Sequence, residues 1–109
     1  MFKRKYRLPK GARFGKSRLI TSPFFAIKIK ENGLLFNRFS TVVSKKVDKR
    51  AVARNKIRRL VNSCISDLVG ELKNGYDMII IAKKNMVDID KNSLCIDLNR
   101  VLKSWIYKK

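Results

Sequence analysis

Apolar residues recur at alternating spacings of three and four along Ala53, Ile57, Leu60, Val61, Cys64, Ile65, Leu68 and Leu72. That spacing predicts one long helix from about Lys49 to Leu72, with Asp48 as its N-cap and Gly75 after its last turn. A second stripe, from Leu94 through Leu98, Val101, Leu102 and Trp105 to Ile106, predicts a helix from about Asp90 to Tyr107, with Asp90 as N-cap and Asp88 in the preceding turn. Between the chain start and the long helix the period changes to two. In "FFAIKIK" Phe25, Ile27 and Ile29 point one way, while Phe24, Ala26, Lys28 and Lys30 point the other. This segment reads as a strand, "ENG" (Glu31–Gly33) as a turn and "RFSTVVS" (Arg38–Ser44) as the next strand. "LLF" (Leu34–Phe36) extends one of these strands or makes a short one. "DMIIIAKK" (Asp77–Lys84) is an unbroken apolar run bounded by charge, as expected of a central strand buried on both faces. Phe14 with Arg18 or Leu19 fits a short helix in "GARFGKSRL", and Met1 to about Pro9 reads as a flexible basic arm. The expected order is α-β-β-α-β-α: one α+β domain over residues 1–109, with a mixed sheet packed by helices.

Charge changes this picture most. The formal net charge is +19, and sixteen of the 27 lysines and arginines fall in two windows, Lys3–Arg18 and Lys45–Arg59. A random scatter would put about eight there, so the charge forms a face, and a polyanion is its expected partner. In "SKKVDKRAVARNKIRRL" (Ser44–Leu60) the residues Lys45, Lys46, Lys49, Arg50 and Arg54 crowd the start of the long helix. The helix dipole disfavours cations at that end, whereas phosphates are attracted there, so a ligand explains the placement better than folding does. On a helical wheel Arg54 and Arg58 share one border of the apolar stripe, Asn55 and Arg59 the exposed back, and Lys56 the other border. The arginine forks suit phosphate oxygens, and Asn55 suits a base edge or a 2′-hydroxyl. The same residues also read as a solvated face whose stems cover the stripe's margins. Phe24 beside Lys28 suits stacking of an unpaired base, or packing under the N-terminal arm.

Catalytic chemistry is hard to build from this chain. It has no histidine, and its eight acids are scattered. Asp77 is a candidate for a hydrated divalent ion, against the commoner role of pairing with a nearby lysine, and no metal site is assigned. The two cysteines, Cys64 and Cys95, can pair, but both fall on apolar helical faces and buried free thiols are expected. No apolar run is long enough to cross a membrane and no secretory signal is expected, so the cytoplasm fits best.

"AVARNKIRRL" (Ala51–Leu60) closely resembles the signature helix of the bacterial ribonuclease P protein subunit, of the form A-x-x-R-N-x-I-(K/R)-R. "VSKKV" (Val43–Val47), "YDMIIIAKK" (Tyr76–Lys84), and "KRKYRL" followed by "RF" (Lys3–Leu8, Arg13–Phe14) are similar to its flanking patterns in the same order. The resemblance implies a catalytic RNA partner that, with bound Mg2+, removes the 5′ leader from precursor tRNA, the protein alone being inactive. It implies RNA contacts from Lys45, Lys46, Arg50, Arg54, Asn55, Lys56, Arg58 and Arg59. A leader cleft between the first helix and the sheet would be lined by Phe14, Arg18, Phe24, Ala26 and Lys28. It also implies a left-handed crossover around the signature helix. The family's R-N-R is R-N-K here, so Lys56 keeps charge without the fork. Lys28 and Arg18 stand where aromatics are common, implying phosphate contacts in place of stacking.

A ribosomal or other structural RNA-binding protein would share the size and charge, though not the ordered signature. A self-sufficient nuclease would cut RNA unaided. No membrane or DNA partner is expected.

Overall fold

A computed structural model of the chain describes residues 7–8, 17–86 and 88–106. It contains β1 (Arg18–Thr21), β2 (Phe25–Glu31), β3 (Arg38–Val42), α1 (Ala51–Leu68), β4 (Tyr76–Ala82) and α2 (Lys91–Ile106). The four strands form one mixed sheet in the order β1-β2-β4-β3, in which β3 and β4 are adjacent, parallel and connected through α1. The expected α+β architecture is present, and the described elements run β-β-β-α-β-α. Arg18 and Leu19, read as the end of a short helix, instead open β1, where they pair with Ile29 and Lys28. Most of that expected helix, and Phe14 with it, lies outside the described residues.

The period-two pattern of β2 positions the core. Phe25, Ile27 and Ile29 stand opposite Ala82, Ile80 and Met78 of β4, and all six are buried. Directly paired residues share a face, so these side chains form one apolar surface. Ile57, Val61, Ile65 and Leu68 of α1 and Leu94, Leu98 and Leu102 of α2 belong to the same buried cluster. Each such side chain contributes roughly 1.5–3 kcal/mol on leaving water. The other face is less enclosed: Ile79, Ile81 and Ala26 are half-buried and Lys28 is exposed. β4 is central, as its apolar run predicts, but only one of its faces is fully covered.

Helix boundaries are tighter than the periodicity suggests. α1 begins at Ala51, and its last turn passes at Leu68 into a 3-10 turn over Val69–Glu71. Gly70 weakens the helix there, and the tighter turn still leaves Leu72 buried. Gly75 therefore serves the entry to β4: its φ is +97°, and a Cβ would lie 3.2 Å from the Leu34 carbonyl oxygen. At the second helix the expected cap is present, for Asp90 accepts from both the amide (2.8 Å) and the hydroxyl (2.9 Å) of Ser93.

Cys64 of α1 and Cys95 of α2 form a disulfide with their Cα atoms 5.3 Å apart, which replaces the expected free thiols. Both do lie on apolar faces, but those two faces pack on each other, and the Cα separation falls within the normal span of a disulfide.

Candidate nucleic-acid interface

The start of α1 is built around Asp48. Arg50 supplies the first helical carbonyl, accepting from the Arg54 amide at 3.1 Å, so the N-cap position is Arg50 rather than Asp48. Asp48 acts from two residues earlier: its Oδ1 accepts from the Arg50 amide at 2.8 Å. Arg50 also wraps back, donating from Nε to Oδ1 at 3.1 Å and from Nη2 to Oδ2 at 2.9 Å. Asn85, in the loop after β4, donates to Oδ2 at 2.8 Å. The hydrogen bonds from the Arg50 side chain and amide, then that from Asn85, hold the Asp48 carboxyl well below its ordinary range.

The basic residues of this segment divide into two groups. Arg54 donates from Nη1 to the carbonyl oxygens of Asp48 (3.0 Å) and Lys49 (2.8 Å), and Arg58 donates to Asn55 Oδ1. With Arg50, these arginines are committed to the protein's own atoms. The side chains of Lys45, Lys46, Lys49, Lys56 and Arg59 are exposed and have no hydrogen-bond or ion-pair partner among the described residues. The first turn of α1 carries no acid. Val52, 81% exposed, stands three and four residues before Asn55 and Lys56 on the helix, so an apolar contact interrupts the cationic face. Sequence reading missed it, although the apolar stripe that begins at Ala53 leaves Val52 off the buried face.

A second basic site lies on the less enclosed sheet face. The register places Lys28 between Leu19 of β1 and Ile79 of β4, and Ala26 between Thr21 and Ile81. Arg18, expected in this cleft, is paired with Ile29 and so belongs to the helix-packed side. Leu19, 60% exposed, takes the place opposite Lys28. This reversal follows from strand parity, which a helical reading of Arg18 and Leu19 could not supply. Phe24 is half-buried against the edge of the core, and Lys84 Nζ lies 5.8 Å from its ring centroid, a cation–π distance.

One end of that face is closed by polar contacts. Asp77, 1% exposed, accepts from Arg38 Nε at 2.8 Å and Nη2 at 2.7 Å, and from Asn32 at 2.9 Å. Burial pushes its carboxyl up, but the hydrogen bonds from Arg38 and Asn32 outweigh burial, leaving it below 3.8. Both its oxygens are thus engaged by the protein, the pairing role that its position suggested, with arginine in place of lysine. At the far edge of the sheet Arg7 bridges to Phe39, and the Leu8 amide donates to the Phe39 carbonyl at 2.9 Å, so part of the basic arm lies along β3.

The family model for ribonuclease P matches residues 2–105. The chain belongs to the ribonuclease P protein family. It is 34% identical over 106 residues to a ribonuclease P protein component of Thermoanaerobacter sp., covering 96% of this chain and 89% of that one. A Fusobacterium nucleatum ribonuclease P protein component is 40% identical over 78 residues, covering 68% of this chain and 69% of that one. The fold superimposes on the Staphylococcus aureus RNase P protein with a TM-score of 0.82 at 27% identity, covering 94% and 98% of the two chains. The ribonuclease P family is one of RNA-binding, tRNA-processing ribonucleoproteins, and the ordered motifs that suggested it in the sequence lie on α1, β4 and the segment leading into α1.

Proposed function

We propose that this chain is the subunit that docks on the catalytic RNA of ribonuclease P and holds the single-stranded 5′ leader of precursor tRNA, so that the leader is cut off and the mature 5′ end is left. The observation that carries this reading is the set of exposed cations whose side chains have no partner among the described residues: Lys45, Lys46 and Lys49 ahead of the positive end of α1, and Lys56 and Arg59 in its second and third turns. Phosphates favour this end of a helix on both dipole and charge grounds. Docking there releases counterions and fixes register, while Asn55 and Val52 supply polar and apolar contact beside the phosphates.

Lys28 serves the leader. It stands on the less enclosed sheet face between Leu19 and Ile79, so a single strand laid there meets a cation flanked by apolar side chains. Such a surface binds the backbone with little preference for base. Because the leader is present only in the precursor, contact at Lys28 favours substrate over product.

The chain supplies binding and orientation rather than bond cleavage. The chain has no histidine, the usual general base, and its buried acids, Asp48, Asp77 and Asp97, are engaged by arginines. Magnesium is poorly matched to these residues, because Asp77 is already saturated by Arg38 and Asn32. The ions and the hydrolysis are therefore assigned to the RNA subunit, and the work to the cytoplasm.

Reconstitution tests the proposal. The cognate catalytic RNA and this chain, mixed at low magnesium, should remove the 5′ leader from precursor tRNA much faster than the RNA alone, and the chain alone should leave it intact. An equal rate with and without the protein would overturn the reading.

A further inference from the structure

Asp48 is an anomaly on a surface meant for phosphate. It is an acid placed among cations, its side chain is only 6% exposed, and it neutralises an arginine whose own side chain is 71% exposed. Counterion release alone would favour its removal, since every acid on such a face repels the RNA backbone.

Its bonding suggests what it contributes instead. Through its carboxylate Asp48 grips Arg50 at Nε and Nη2, leaving Nη1 without a hydrogen-bond partner among the described residues. Through its backbone carbonyl it accepts from Arg54, one turn further along the helix. Asn85 ties the same carboxylate to the loop that follows β4, so the arrangement is braced against the sheet and not only against its own helix. A free arginine side chain loses much rotamer freedom on docking, and a guanidinium already held in place loses less.

We propose that Asp48, braced by Asn85, is a positioning residue for RNA recognition: it fixes the guanidinium groups of Arg50 and Arg54 at the start of α1 before the RNA arrives, exchanging one unit of attraction for a pre-formed phosphate site. The inference rests on the reading that α1 docks on RNA. The depressed carboxyl pKa agrees with it, because Asp48 then stays ionised throughout the range in which RNA binds.

The test measures Asp48→Asn and wild type against two RNAs, the cognate catalytic RNA and an oligouridylate, at a temperature where melting curves show both proteins folded. Asp48→Asn raises the net charge by one, so charge alone predicts tighter binding to both. The expected result is a loss of about tenfold in affinity for the cognate RNA, the equivalent of about one lost charge-assisted contact, with oligouridylate binding unchanged or slightly tighter. Partial unfolding would weaken both in proportion, so the ratio of the two affinities separates positioning from stability. Asp48→Glu, which keeps the charge but misplaces it, should show the same specific loss. If Asp48→Asn does not fold, Asn85→Ala takes its place, with an expected cognate loss of about threefold. Cognate affinity that is unchanged or improved overturns the inference. A wild-type protein that does not prefer its cognate RNA sinks the proposed function instead.

Discussion

Arg54 donates from Nη1 to the carbonyl oxygen of Lys49 at 2.8 Å, folding its guanidinium back across the start of its own helix. A residue of the family signature thus supports the scaffold that presents its neighbours. Arg54→Ala should lower the melting temperature, by the equivalent of about 1 kcal/mol, as well as weaken RNA binding. Arg59→Ala, which removes no hydrogen bond or ion pair among the described residues, should weaken binding and leave the melting temperature unchanged. Thermal melts beside RNA titrations distinguish the two, and identical behaviour would contradict the division.

The Asp77–Arg38 pair predicts a pH dependence. The folded-state pKa of Asp77 lies below its ordinary 3.8, so its stabilisation is fully present above that value and is lost as the pH falls further. Asp48 shifts in the same direction. Stability should therefore be nearly flat from neutral pH to about 5 and drop below about 4. Asp77→Asn should cost about 2 kcal/mol at pH 7 and flatten the acid limb, as measured by urea unfolding across pH. An unaltered acid limb would show that other carboxylates dominate.

The Cys64–Cys95 bond spans 31 residues and joins the two helices on their buried side. Reduction, or Cys64→Ser with Cys95→Ser, should lower stability by about 3–4 kcal/mol. RNA affinity should change little, because the bond lies toward the end of α1 opposite the cations. Melting with and without dithiothreitol checks the first point, and RNA titration of the reduced protein the second.

Lys28, flanked by Leu19 and Ile79, should discriminate precursor from product. Lys28→Ala should weaken precursor tRNA binding by the holoenzyme by about 1 kcal/mol and leave mature tRNA unaffected. Leu19→Asp should do the same, whereas Arg18→Ala, on the opposite side, should not. Equal losses for precursor and mature tRNA would remove this face from leader binding.

The helices and β2 were legible because each carries one clear period, and β4 because its unbroken apolar run marks a central strand. The disulfide was not, because periodicity shows that Cys64 and Cys95 are inward without showing that their helices meet there. Arg18 was assigned to the cleft by resemblance alone, and the strand register that pairs it with Ile29 was not legible in Gly11–Leu19. The cationic face was visible as composition. Its division into scaffold arginines and free lysines was not, since that depends on which carbonyls and carboxylates the turn at Asp48 brings within reach.

The most direct test of the central claim is the salt dependence of affinity for the cognate catalytic RNA, measured for wild type and for a variant with Lys45, Lys46, Lys49, Lys56 and Arg59 changed to alanine. Each phosphate contact contributes about 0.7–0.9 to the slope of log affinity against log salt. The variant should lose about 3.5 to 4.5 units of slope while keeping its fold. A variant that binds with the wild-type slope would mean that the RNA docks elsewhere.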